Sequence, residues 1–136
     1  MPAAFKVHIL SADQAFYEGE AVSLVLPGCD GQFGIMAHRS DLVAAIVPGE
    51  MKCRLPDGST LIAVVSEGLV RVENNDVLVL VDSLERPEEI DENRARRAAD
   101  RAREALLQKR SREEYLKAEA ELSRAMNRLK AVAHRK

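Results

Sequence analysis

The chain changes character once, at Arg86-Pro87, and that change governs what it can fold into. Before it, short apolar runs alternate with turn residues. After Pro87 neither glycine nor proline occurs again. A stretch free of both permits long helices, whereas the punctuated first part favours short strands. The reading is an α+β chain of two domains, with residues 1–86 forming antiparallel β structure and residues 87–136 an antiparallel helical hairpin. At 136 residues there is room for two small domains.

In the first part, FKVHIL (5–10), AVSLVL (21–26), MKCRL (51–55), TLIAVV (60–65), LVRV (69–72) and VLVLV (77–81) read as strands. Asp57-Gly58 is a hairpin turn signal, and Asn74-Asn75-Asp76 tolerates the left-handed backbone of a second tight turn. Pro27, Gly28, Gly31 and Gly34 mark residues 27–42 as a long, less regular loop. Short strands at this spacing fit a sandwich or a small barrel with a modest core of its own.

In the second part, Pro87 suits a first helical position, and Glu88 and Glu89 favour the positive end of the helix dipole. A break comes at KRSRE, where Ser111 and Glu114 form a capping box. The expected helices are 88–109 and 112–133. Ala95, Ala98, Ala102 and Ala105 form a stripe on the first. Tyr115, Ala118, Leu122, Ala125, Leu129 and Val132 form one on the second. These heptad-like stripes and the short connection make an antiparallel pair. An alanine seam buries little, each missing methylene forgoing about 0.8 kcal/mol, so the pair opens without great cost. The same stripe would serve equally well to hold the helices against the β domain.

Charge is unevenly spread. Residues 1–87 hold 6 Lys+Arg against 12 Asp+Glu, and residues 88–136 hold 14 against 10. The basic tail points to an acidic partner or a polyanion, or simply to well-solvated helices. At ~100° per residue, Arg94 and Arg101 lie on one side of the first seam, and Arg124 and Arg128 lie off the second in the same rotational sense. In an antiparallel pair that places all four on one edge. Such a cluster is either balanced by carboxylates, Glu104 near Arg101 and Glu121 near Arg124, or gathered around a polyphosphate in bidentate geometry. Asp91, three residues before Arg94, is then placed to hold a sugar hydroxyl or a base amine.

Other chemistries find no pattern. There is no GxxxxGK[ST] loop and no GxGxxG after a strand. No nucleophile–base set or paired acid/base carboxylates are recognisable, so no catalytic residue is expected. Cys29, Cys53, His8, His38 and His134 are scattered without ligand spacing, so no metal site is expected, and the thiols read as reduced. With one aromatic in the tail, Tyr115, and acids interspersed, nucleic-acid binding is not expected. No segment has the length and apolarity of a membrane span or a signal core, so the chain reads as soluble, meeting a membrane only through a partner.

In order and spacing, FKVHILSADQAFYEGEAVSLVLPGCDGQFGI, DLVAAIVPG, AVVSEGLVRVENNDVLVLVD, EIDENRARRAADRA and KAEAELSRAMNRLK together resemble the epsilon subunits of bacterial F-type ATP synthases over nearly the full length. Two segments depart from the family's usual sequence, MAHRSD (36–41), which keeps only His38, and Ser66-Glu67-Gly68. The resemblance implies a flattened β-sandwich of about ten strands followed by an α-helical hairpin. It implies a non-catalytic rotor subunit of a proton-translocating synthase at the cytoplasmic face of the bacterial plasma membrane, without membrane insertion of its own. The implied partners are the gamma subunit and the membrane rotor c-ring for the sandwich. The catalytic alpha and beta subunits are implied for the helices, which extend into the catalytic head and block ATP hydrolysis. Some family members bind ATP as a regulatory ligand through an Ile/Leu-Asp-x-x-Arg-Ala motif, here Ile90, Asp91, Arg94 and Ala95. The family's further ligand positions fall on Glu85, Arg101, Arg124 and Arg128. The resemblance thus implies phosphate contacts from the arginines and adenosine contacts from Ile90, Asp91 and Ala95. An alternative without the resemblance is a free-standing β-sandwich adaptor whose hairpin binds a partner protein without nucleotide.

Overall fold

The computed structural model describes residues 3–108 and 111–135. The chain divides into two compact units, Met1–Glu85 and Arg86–Lys136. The first holds ten strands among its described residues: β1 Phe5–Ser11, β2 Ala15–Ala21, β3 Ser23–Gly28, β4 Gly31–Met36, β5 Leu42–Ile46, β6 Gly49–Arg54, β7 Thr60–Val65, β8 Gly68–Glu73, β9 Asp76–Val81 and β10 Leu84–Glu85. They form two five-stranded sheets, ordered β2-β1-β9-β8-β5 and β10-β7-β6-β3-β4. Phe5, Val7 and Ile9 of β1 point inward with Val70 and Val72 of β8 and Val77, Val79 and Val81 of β9. From the other sheet come Leu24, Leu26, Met51, Cys53, Ala63 and Val65. The period-two alternation of apolar residues thus builds one core between two layers.

Three features differ from the sequence reading. The β1–β9 pair is parallel, and every other pairing among the described residues is antiparallel. The ten strands match the number that the resemblance implies, but the residue pattern alone does not mark β2, β4, β5 and β10. Strand β4 lies inside the segment read as an irregular loop, because the glycines that mark it act locally. Gly31 takes φ +112° in the β3–β4 turn, while Gly34 sits within the ladder opposite Val25. The departing MAHRSD segment turns at His38, φ +64°, and its backbone N–H donates to Asn75 Oδ1 at 2.7 Å. Asn74 and Asn75 take left-handed φ in the β8–β9 turn, as their composition predicts. At the β6–β7 turn Gly58 has φ +92°, and the Asp57 carboxylate accepts from the Ser59 backbone N–H and hydroxyl.

The second unit contains a short 3-10 turn, Pro87–Glu89, then α1, Glu92–Leu107, and α2, Arg112–Arg135. The first helix therefore starts four residues later than expected. Pro87 does open a helical turn, but Ile90 and Asp91 return to extended backbone. Asp91 then caps α1, its carboxylate accepting from the Arg94 N–H at 3.1 Å. The expected end of that helix at Lys109, and Arg110 in the break, lie outside the described residues. At the start of α2 the Glu114 N–H donates to Ser111 Oγ at 3.3 Å, one half of the expected capping box.

Candidate functional site

The charged faces of α1 sort into two edges. Arg96 pairs with Glu92 at 3.0 Å and Arg103 with Asp100 at 3.3 Å. Arg103 also donates to the Met126 sulfur of α2 at 3.2 Å, tying the two helices together on that edge. Arg94 and Arg101 lie half a rotation away from Arg96 and Arg103, at about 100° per residue. Among the described residues, Arg101 and Arg124 form no ion pair, so the balancing contacts Arg101–Glu104 and Glu121–Arg124 are not made.

On this second edge Ala98 and Arg101 of α1 and Glu121, Arg124 and Arg128 of α2 line a cleft of about 450 Å³. The small Ala98 side chain leaves the space, and the long cationic side chains surround it. A second hollow of about 280 Å³, towards the connection between the helices, is lined by Ala105, Glu114, Lys117, Ala118 and Glu121. Three guanidiniums around an open volume form a concave, cationic surface suited to oxyanions, since the guanidinium plane matches the two-oxygen edge of a phosphate.

The structure brings together three of the four arginines singled out in the sequence. Arg94 does not line the cleft. It lies seven residues before Arg101, about 10 Å along the same edge. Asp91 is exposed, and one of its carboxylate oxygens caps the helix. Ile90 and Ala95 are buried, at 4% and 3% exposure. Glu85 belongs to the sandwich unit, in β10 opposite Val64 of β7. Glu121 entered the sequence reading only as a salt-bridge partner. Its place three residues before Arg124 put it on the cleft edge, but the assumed pairing hid its role as a lining residue.

The seam also differs in membership. In α1 the buried alanines are Ala95, Ala99 and Ala102, with Ala98 and Ala105 half-buried. In α2 they are Ala118, Ala125 and Ala131, with Val132, while Tyr115 is 45% exposed. A strict heptad stripe omits Ala99 and Ala131 because a straight helix drifts from the 3.5-residue period. Leu107 and Leu116 are exposed, so the larger apolar groups near the connection are not used for closure.

No helix among the described residues is long and apolar enough to cross a membrane. Solved structures share the fold. One is a chain of the Euglena gracilis mitochondrial ATP synthase (OSCP/F1/c-ring, rotational state 1), with a TM-score of 0.87 at 20% identity, covering 98% of this chain and 84% of that one. Another, from the Tetrahymena thermophila mitochondrial ATP synthase (central stalk/c-ring), has a TM-score of 0.67 at 15% identity, covering 93% and 95%. Closer in sequence is the ATP synthase epsilon chain of Ruminococcus albus, 42% identical over 135 residues, covering 98% of this chain and 99% of that one. The corresponding chain of Ruminiclostridium cellulolyticum is 37% identical over 134 residues, with the same coverage. Residues 4–87 match the β-sandwich domain and residues 88–133 the long α-helix domain of the ATP synthase delta/epsilon chain. On a match that runs through both units and nearly every residue, the chain belongs to the ATP synthase delta/epsilon family, with the bacterial epsilon chains among its relatives.

Proposed function

We propose that this chain serves in the central stalk of a bacterial F-type ATP synthase, at the cytoplasmic face of the membrane, and that its helical hairpin is a nucleotide-governed brake. As an epsilon chain it is a non-catalytic subunit of the synthase. The sandwich grips the gamma subunit and the c-ring of a proton-driven rotor. The hairpin, when its helices part, engages the catalytic alpha and beta subunits and blocks ATP hydrolysis. When the helices are closed, ATP binds along the edge that carries Arg94, Arg101, Arg124 and Arg128, with Ile90, Asp91 and Ala95 on the adenosine. Bound ATP stabilises the closed form by mass action, so scarce ATP releases the brake into its blocking form. Family membership favours this reading over a free-standing adaptor.

The observation that carries the reading is the cleft itself, lined by Arg101 from one helix and Arg124 and Arg128 from the other. Such a site exists only while both helices lie together, so an anion held there reports and enforces closure. The seam supports the same reading, because it is built from alanines that contribute little to holding the helices shut. Calorimetric titration of ATP into the full chain and into Arg94→Ala and Arg128→Ala tests it. The expected result is saturable binding that each substitution weakens tenfold or more, on the order of a lost charge-assisted bond. Equal, weak heats from all three proteins would remove the site. In reconstituted synthase, a chain ending at residue 86 is expected to raise ATP hydrolysis when ATP is scarce.

A further inference from the structure

We propose that Glu121 makes the arginine cleft selective for the divalent-cation complex of a polyphosphate over the bare polyanion. The inference rests on the cleft being a polyphosphate site, and it concerns which form of that ligand the cleft accepts.

Among the described residues, Glu121 is the one acidic side chain that lines the cleft. It also lines the second hollow with Glu114 and Lys117, so it is the wall between the two. Its side chain is half-buried, and among the described residues it forms no ion pair. A carboxylate locked to one guanidinium would be neutralised. Glu121 instead presents its charge to whatever enters. It precedes Arg124 by three residues and Arg128 by seven, about 4.5 and 10 Å along the axis of α2. The helices run antiparallel, so the Asp91 end of α1 faces the Arg128 end of α2. A ligand whose nucleoside sits by Asp91 therefore runs its phosphates past Arg128 and Arg124 and brings the terminal one to Glu121.

Charge then decides between the two forms. Glu121 cancels part of the positive charge of Arg94, Arg101, Arg124 and Arg128, so a bare triphosphate carries more negative charge than the edge offsets, and the excess lies beside Glu121, where like charges repel. A divalent cation held by the terminal phosphate oxygens removes that excess. It also gives Glu121 a positive partner, because Mg²⁺ is typically bound by one or two carboxylates together with ligand phosphates and retained waters.

Calorimetry on the full chain tests this, with ATP titrated once in chelator and once with excess Mg²⁺. The wild type is expected to bind the Mg²⁺ form at least about threefold more tightly, the effect of a modest interaction at a solvent-reached site. Glu121→Gln is expected to bind bare ATP more tightly than wild type and to lose the preference. Glu114→Gln, at a residue that lines the second hollow and not the cleft, is expected to keep it. A wild type indifferent to Mg²⁺, an unchanged preference in Glu121→Gln, or equal loss in Glu114→Gln each overturns the role of Glu121 and leaves the polyphosphate cleft standing. Failure of wild type and Glu121→Gln to bind ATP in either form overturns both. Circular dichroism of each variant confirms that the helices are formed.

Discussion

Replacing Gly68 with alanine probes how closely two strands of the sandwich approach. Gly68 opens β8 opposite Val81 of β9 in antiparallel register. A Cβ built there would lie 2.0 Å from the Leu80 carbonyl oxygen, 2.8 Å from Val81 Cα and 2.9 Å from the Leu80 carbonyl carbon. All three are backbone atoms, so no side chain can rotate out of the way. Even a favourable carbon–oxygen contact needs about 3.3 Å, and the strands must therefore part by more than an ångström at this end. The links at risk include Ser66 N–H to Ser83 O and Asp82 N–H to Glu67 O, both 3.1 Å, beside the buried Val70 and Val81. Overpacking costs about 1–3 kcal/mol, and a lost hydrogen bond adds about 1, so the expected loss is roughly 3 kcal/mol. For a unit of this size that lowers the melting temperature by about 12–24 °C. Gly34→Ala is the control. Its nearest neighbour is the Leu24 carbonyl oxygen at 4.0 Å, so the added methyl is expected to be neutral or slightly stabilising. Thermal and urea unfolding of the full chain, followed by the sheet signal in circular dichroism, compares the two. Melting of Gly68→Ala within about 2 °C of wild type would refute the steric argument, since ~0.5 kcal/mol is too little for such an overlap.

Further tests follow from single side chains. Asp91→Ala removes the cap of α1 and is expected to destabilise the hairpin by about 1 kcal/mol without any nucleotide, while Asp91→Asn keeps most of it, as read from helical ellipticity. Hydrogen bonds from the Ser59 hydroxyl and backbone N–H hold the Asp57 carboxyl below its ordinary value. Its contribution is therefore fully present above the unfolded-state value near ~4 and lost as pH falls through the lower folded value. Acid unfolding of wild type should show this extra loss, and Asp57→Asn should not. Burial pushes the Cys53 thiol up to about 11, whereas Cys29 is exposed. A thiol reagent at neutral pH is expected to modify Cys29 alone in the native chain and Cys53 only after unfolding, which mass spectrometry of the labelled peptides checks.

The sandwich was legible where one face of a strand is plainly apolar. In β1, β3 and β9 apolar groups alternate (Phe5, Val7 and Ile9; Leu24 and Leu26; Val77, Val79 and Val81), and the inward face can be read directly. Strand β2, AFYEGEA, has only Ala21 fully buried, and β4, GQFGIM, only Ile35. Their place is set by pairing with β1 and β3, which is tertiary information absent from local pattern. The parallel β1–β9 pair joins residues about seventy positions apart, and no turn signal reports it. On the hairpin, the arginine edge was legible because residues seven apart share an azimuth on a helix. The boundary of α1 was misjudged because Pro87 and Asp91 are both valid start signals, and the capping carboxylate of Asp91 decided the outcome. Glu121 was not legible as a cleft residue, because an acid three residues before an arginine reads first as its ion-pair partner, whereas in the structure the two side chains stay apart.

On the proposed reading, the composition of the hairpin limits what kind of regulator it makes. Leucines at the seam would close the helices by their own burial, each adding about three methyl or methylene groups and hence more than 2 kcal/mol over alanine. Ala95, Ala102, Ala118 and Ala125 forgo that, and Leu107 and Leu116 are left in solvent. Meanwhile Arg101, Arg124 and Arg128 meet across the cleft and repel one another as the helices close. An oxyanion reverses the sign of that term by joining cations from both helices, so binding and closure become one equilibrium on the proposed reading. Ligand at ten times its dissociation constant then adds about 1.4 kcal/mol to the closed form, and at a hundred times about 2.7. Increments of that size are decisive only against a seam worth little more than a few kcal/mol. Substituting leucine at a buried seam alanine would add its own stabilisation or overpack the seam, and either way closure would no longer follow the nucleotide. On the proposed reading, the lean seam is therefore what allows a ligand concentration to be read as a change in shape.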